Sequence, residues 1–319
     1  MSQNQAMKLW RYIEEDGVSA HEGLAADEAL LAAYGRQEQA AMFDGTLRLY
    51  TYRAHCALVG RFQNLSAEIN LDYCRKHDIQ VSRRPTGGGA ILMGPAQLGV
   101  CAVISTHHRP ELANPVQAYH YFAAPLIHAL RALGIQAAFR PKNDLEVGGR
   151  KIAGLGVYYD PHGALLFHAS LLVDLDIALM LRVLNIPGEK YRDRVMIRSV
   201  RQRLTTVSRE LGQPLATDQV RRQVAAAFEQ VLGIQLQDQP FGPAEKEAIA
   251  ALARRKYLSP DWLYLQSPNL DMTGTAVKKT PLGLLRIYIA LAGRTIKSVL
   301  IAGDYFDFAQ TFRHLEGRL

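Results

Sequence analysis

The chain has 319 residues, 48% hydrophobic and 21% charged, and 37 Lys and Arg against 30 Asp and Glu give a net charge of +7. That length suits one large domain with a smaller companion and a sizeable core, and no internal repeat or low-complexity tract interrupts it. The modest positive excess favours an anionic ligand or an acidic partner protein; without a Lys/Arg block, a zinc spacing or an aromatic-basic RNA motif, nucleic acid is set aside.

Cys56, Cys74 and Cys101 are odd in number and form no CxxC, which predicts reduced thiols and no metal cluster. The start, MSQNQAMKLWRYIEEDG, has no apolar leader, and no segment is long enough to span a membrane. A cytoplasmic protein with no membrane partner is therefore expected.

In chain order, HEGLAADEALLAAYGRQEQ (21–39) carries Leu24, Leu30, Leu31 and Tyr34 at helical spacing and predicts a first helix. LRLYTYRAHCALVGRFQN predicts two strands broken near 53–55, and EINLDYCRKHD predicts a short helix feeding the strand IQVSRRP. AILM and LGVCAVIS, separated by Gly94-Pro95, predict a hairpin or two adjacent strands. Asn114-Pro115 caps a helix that ends at Gly134, with Pro125 expected to kink it.

KNDLEVGGRKIAGLGVYYDPHGALLFHASLLVDLD carries turn signals at Gly148-Gly149, at Gly154 to Gly156 and at Asp160 to Gly163, so successive antiparallel strands are predicted there. TDQVRRQVAAAFEQVLG predicts a helix with Thr217 as N-cap and Gly233 at its end, and PAEKEAIAALARRKY predicts another. After about residue 267 the pattern becomes strand-turn-strand with a short final helix, which places a domain boundary near Ser267 to Asn269. Some fifty residues remain, thin for an independent core.

Four stretches carry candidate chemistry. In RRPTGGGA (83–90), three glycines allow positive φ and close approach to a ligand, and Arg83 and Arg84 add charge; a plain glycine turn is the equal alternative. Around the Gly148-Gly149 turn, Asn143 and Asp144 face Arg150 and Lys151 on neighbouring strands, as a Mg²⁺ ligand and a phosphate-facing lysine would, or as an ordinary cross-strand ion pair. His168, in FHAS, could line a pocket or be structural. Arg194, Arg198, Arg201 and Arg203 make either a solvated face or a dock for an acidic protein.

Taken in order, ADEALL, VGRFQN, RRPTGGGA, KNDLEVGGRKIAG, FHASLLVDLD, IRSVRQRLTTV and YLSPDWLY resemble the lipoate-protein ligase A family of the biotin/lipoate A/B ligase superfamily, over nearly the whole chain. The resemblance implies an α+β catalytic domain (1–267) with mixed, mainly antiparallel sheets and a small α+β accessory domain (268–319), expected to continue past Leu319. It implies ATP- and Mg²⁺-dependent activation of lipoate or octanoate as an acyl-adenylate, then transfer to a lysine of a lipoyl-domain protein, a 2-oxoacid dehydrogenase subunit or a glycine-cleavage H-like protein. By motif, Lys151 would bridge carboxylate and α-phosphate, and Asn143 and Asp144 would hold phosphate, with Asp144 on the metal. Arg84, Thr86, Gly87, Gly88, Gly89, Ala90, Gly154 and His168 would wall the acyl-adenylate.

Met93-Gly94 and Ala169-Ser170 would flank the acyl pocket. The rivals are an ATP-independent octanoyl or lipoyl transferase, which in the ligase-like type has a cysteine shortly before GRK where this chain reads RPKNDLEVGG, and a non-catalytic lipoyl-binding protein.

Overall fold

The computed structural model describes residues 8–185, 194–307 and 311–317. The first seven residues, the Arg194 side chain and residues 308–310 of the predicted last helix lie outside the described residues.

The chain opens with β1 (Lys8–Val18) and α1 (Ala20–Gly35), whose N-cap Ser19 accepts from the Glu22 amide. There follow β2 (Gly45–Tyr52), β3 (Cys56–Val59), α2 (Leu65–Glu68), α3 (Leu71–Lys76), β4 (Gln80–Arg83), β5 (Ile91–Met93) and β6 (Gln97–Ser105). Asn114 caps α4 (Pro115–Ala132), which runs as one helix through Pro125. The middle supplies β7 (Ala138–Arg140), β8 (Asp144–Val147), β9 (Arg150–Tyr159) and β10 (Ala164–Leu172), then α5 (Ile177–Val183), α6 (Arg194–Arg201), α7 (Val207–Leu211) and α8 (Thr217–Leu232). The last part holds β11 (Ile234–Asp238), α9 (Pro243–Leu252), α10 (Pro260–Leu263), β12 (Gly274–Thr280), β13 (Gly283–Ala292), β14 (Thr295–Gly303) and α11 (Thr311–Glu316).

Eight strands form the main sheet in the order β11-β1-β2-β6-β10-β9-β8-β7, parallel only where β1 meets β11 and β2. A second sheet runs β4-β3-β5 and a third β12-β13-β14. The fold is thus α+β with mixed, mainly antiparallel sheets, as expected. Alternation along β6 explains the layering: Leu98, Val100, Ala102 and Ile104 enter the core under α4 and α8, while Cys101 and Val103 face α1. On β3, Cys56 and Leu58 join the α1 core, whereas Ala57 and Val59 join a third cluster with Met180 and Val183 of α5. A strand buried on both faces reads as an unbroken apolar run.

Three expectations are corrected. β5 and β6 are not a hairpin: β5 pairs with β3, and β6 with β2 and β10, so the Gly94-Pro95 turn carries the chain from one sheet to another. Gly154 to Gly156 is not a turn but the interior of β9, where missing side chains make room for neighbours. Ala216, one residue before Thr217, occupies the α8 N-cap, and the Thr217 hydroxyl donates to the Pro95 carbonyl.

The third sheet lies against the rest of the chain. Tyr305 stacks on Phe62 at 4.8 Å, the Gly303 amide donates to the Phe62 carbonyl at 2.8 Å, and Arg286 meets Glu68 at 2.9 Å.

Candidate active site

A cleft opens where the main and second sheets face each other. Its walls are Tyr50 and Tyr52 of β2, Lys151, Gly154 and Leu155 of β9, His168, Ala169 and Ser170 of β10, Leu58 of β3, and Ile91 and Met93 of β5. Leu24 of α1 and the loop residues Arg84, Gly87, Gly89, Ala90 and Asn143 complete it. Its unfilled space is about 670 Å³ when the open mouth is counted. Apolar side chains gather at the α1 end, with the cation Lys151 among polar neighbours elsewhere.

Lys151 reaches the cleft because β9 bulges. In an unbroken strand, residues three apart face opposite sides, so Lys151 and Gly154 would diverge. Asp144 pairs with Gly154 and Leu145 with Ala153, but Glu146 then pairs with Lys151, leaving Ile152 as the extra residue. Ile152 and Ala153 consequently both enter the α4 core, and Lys151 and Gly154 both face the cleft. The freed backbone of Lys151 is taken up elsewhere: its amide donates to the Arg203 carbonyl, and its carbonyl accepts from the Thr205 amide, each at 2.9 Å.

The ammonium then lies 2.7 Å from Asp144 Oδ1. A Cβ on Gly154 would stand 3.0 Å from it and 3.4 Å from Ser170 Oγ, so the glycine leaves the lysine its path along the strand. Asn143 is pinned beside it, its side-chain amide donating to the Leu155 carbonyl at 2.9 Å.

The opposite wall is the glycine loop, and here the two arginines part. Arg83 is fully buried and turns away from the cleft, donating to the carbonyls of Gly60, Arg61, Gln63, Trp262 and Leu263. It ties the segment containing α10 to the loop after β3 and adds no charge to the cleft. Arg84 lines the cleft, but its donors go to the carbonyls of Leu58, Gly87 and Gly89 and to Thr86 Oγ1, so it shapes the loop from within. Burial draws both guanidiniums down to about 10.

Gly88 adopts φ +90° and its amide donates to the Tyr305 carbonyl; a Cβ on Gly87 would come within 2.2 Å of the same oxygen. The glycines therefore admit the segment after β14 on one side of the loop, a use the sequence did not suggest.

Thr86 Oγ1, which accepts from Arg84, stands 2.9 Å from His168 Nε2. Burial, and then the Arg84 charge, lowers the His168 imidazole to about 3, so it is neutral near pH 7. That fits a Thr86 hydroxyl donating to Nε2. A Cβ on Gly156 would fall 2.4 Å from the same nitrogen, so this glycine, unremarked as a site residue in the sequence, makes space for the ring.

Of the residues expected in the site, Lys151, Arg84, Gly87, Gly89, Ala90, Asn143, Gly154 and His168 line the cleft. Thr86 and Asp144 stand behind its wall against His168 and Lys151, which line it, and Gly88 is turned to Tyr305. Leu24, Tyr50, Tyr52, Leu58, Ile91 and Leu155 were missed, since from sequence they are indistinguishable from other core residues.

Among the described residues no three His, Cys, Asp or Glu side chains gather to hold a metal. A single carboxylate, Asp144, fits Mg²⁺ only where substrate phosphates and water supply most of its ligands, which is ordinary for that ion.

Comparisons with known proteins fit this geometry. The model of the lipoyl protein ligase A/B catalytic domain matches residues 19–229. An octanoyltransferase LipM of Halalkalibacterium halodurans is 26% identical over 279 residues, covering 80% of this chain and 99% of that protein. Lipoate-protein ligase 2 of Staphylococcus aureus is 30% identical over 253 residues, covering 78% and 72%. The bipartite lipoate protein ligase of Thermoplasma acidophilum, solved in a study of an archaeal lipoylation system with its E2 lipoyl domain, superposes with a TM-score of 0.69 at 26% identity, covering 83% of this chain and 99% of that one. With the match spanning most of the chain and the cleft built from its motifs, the protein belongs to the lipoyl protein ligase A/B catalytic domain family.

Proposed function

We propose that the protein is a cytoplasmic ATP-dependent lipoate-protein ligase, with residues 268–319 as a small accessory domain, acting on lipoate or octanoate and on a lysine of a lipoyl-domain protein. The observation that carries this reading is the thiol inventory of the cleft. Cys56, Cys74 and Cys101 are the only cysteines of the chain; all are buried and none lines the cleft. Burial pushes Cys74 up to about 11 and the thiols of Cys56 and Cys101 well above their usual range, the opposite of an activated nucleophile.

Without a thiolate, a carboxylate must be activated by other means, and ATP with Mg²⁺ would supply a phosphoryl leaving group and charge neutralisation. Lys151 would do the rest, a reading supported by its ion pair with Asp144: a preorganised cation reduces repulsion between two anions and orients them. The apolar end, with Leu24, Leu58, Ile91 and Met93, suits an alkyl chain, and Asn143 and the loop amides suit the polar end.

A second reading, ATP-independent octanoyl transfer, is favoured by the relatives over the first: octanoyltransferases such as that of H. halodurans match this chain over nearly their whole length, whereas the S. aureus ligase does so over 72% of its own. The two separate in one assay. Octanoate or lipoate with ATP and Mg²⁺, or an octanoylated carrier protein alone, is supplied with an apo lipoyl domain whose mass is followed. The ligase reading expects modification only with ATP, and about a hundredfold loss in Lys151→Ala with an unchanged unfolding midpoint. Modification from the carrier without ATP overturns it in favour of the transferase.

A further inference from the structure

The stretch that holds the Lys151 backbone is also a basic surface. Arg198 and Arg201 lie on α6, three residues apart and so on one face, both exposed, while Ile197 and Val200 of the same helix pack inward. Arg203 and Arg209 follow, also exposed. Among the described residues none of these four meets a carboxylate, whereas Arg11, Arg48, Arg150, Arg221 and Arg286 each do. Arg209 donates to the carbonyls of Arg201 and Leu204, and Arg203 to Ser199 Oγ, which leaves Arg198 and Arg201 with no side-chain partner among the described residues.

Beside them runs a second groove, walled by Leu175, Ile177 and Leu204 and edged by Arg201 and Arg209; Asp174 also lines it, its carboxylate accepting from the Leu175 amide. Thr205 and Thr206 complete its lining. A partly apolar floor with a cationic rim suits protein docking, and among the described residues that line it there is no aromatic platform of the kind single-stranded nucleic acid stacks on. Its place is specific. The Arg203 carbonyl accepts from the Lys151 amide, so the patch begins two residues from a strand contact with the cleft.

We propose that Arg198 and Arg201 dock the acceptor protein, engaging carboxylates that flank its modified lysine, with the groove beside Leu204 taking an apolar side chain of the same partner. This rests on the proposed protein-lysine acylation and goes beyond it by assigning the acceptor's surface. Charges at the rim steer encounter and fix register more than they add affinity, so the effect falls on capture of the acceptor and grows at low salt.

The test uses the full chain, its Arg198→Glu/Arg201→Glu variant, an apo lipoyl domain, and the same domain with the acidic residues flanking its lysine changed to lysine. Direct binding by titration and acylation kinetics are both measured at two salt concentrations. The expected result is an acceptor Kd and KM about tenfold higher in the variant, with KM for lipoate unchanged and binding regained by the charge-reversed domain. Equal acceptor Kd in wild type and variant overturns the docking assignment, as does tighter arginine-dependent binding to a DNA duplex than to the domain. Arginine-dependent binding of the domain without acylation from either donor keeps the dock and sinks the catalytic reading.

Discussion

Arg83 and Arg84 in the glycine loop, and Arg198 and Arg201 on α6, look alike in the sequence: paired cations beside small or apolar residues, each suggesting an anion. The fold uses them in opposite ways. Arg83 and Arg84 are buried and spend their donors mostly on main-chain carbonyls of loops and element ends, with no carboxylate among those partners. Arg198 and Arg201 stand on a helix whose last carbonyls are taken up by the amides of residues 202–204 and by Arg209, and their own guanidiniums remain exposed. A guanidinium carries five donors in a rigid fork, so it serves as a cross-link wherever irregular backbone is buried and as a docking charge wherever it is not. Burial decides between the two.

The comparison breaks most sharply at Arg83. Arg83→Ala strips the donors from carbonyls of Gly60, Arg61, Gln63, Trp262 and Leu263, and is expected to cost about 3 kcal/mol or more, read by urea unfolding. A loss below about 1 kcal/mol would mean these loops hold themselves. The buried side continues from Arg84 through Thr86 and His168 to Gly156. Gly156→Ala forces a methyl to within 2.4 Å of His168 Nε2, with an expected cost of about 1–3 kcal/mol and loss of acylation; a variant as stable and active as wild type would show that the ring is free to move.

The smallest effect is a pH dependence. His168 lies near 3 in the fold against an ordinary 6.5, so the unfolded chain takes up the proton first. The stability this histidine contributes is full above about pH 6.5 and is lost as pH falls towards 3. In His168→Gln, the difference in unfolding free energy between pH 7 and pH 5.5 should shrink by on the order of 1 kcal/mol. An unchanged difference would place the ring in contact with solvent.

Local signals made part of this legible. Asn114-Pro115 before α4, Gly233 after α8 and Gly148-Gly149 between β8 and β9 act within a few residues of chain, and each element stands where these put it. Gly154 to Gly156 misled because a glycine gives the same sequence signal whether it makes a turn or makes room; what it makes room for, Lys151 and His168, is set by strand pairing. Tyr50, Tyr52 and Leu24 were unreadable as cleft residues because a buried side chain facing a ligand has the same chemistry as one facing the core.

The order of motifs determined by itself the family and the α+β class, and singled out Lys151 as a candidate, because these rest on residue identity at recurrent spacings. Only the tertiary structure decided that a bulge at Ile152, backed by residues 203–205, turns Lys151 into the cleft, and that the glycine loop also receives the segment after β14. Register, burial and contacts between distant segments fix those outcomes, and a side chain's direction follows from which strands pair, which no local stretch of sequence encodes.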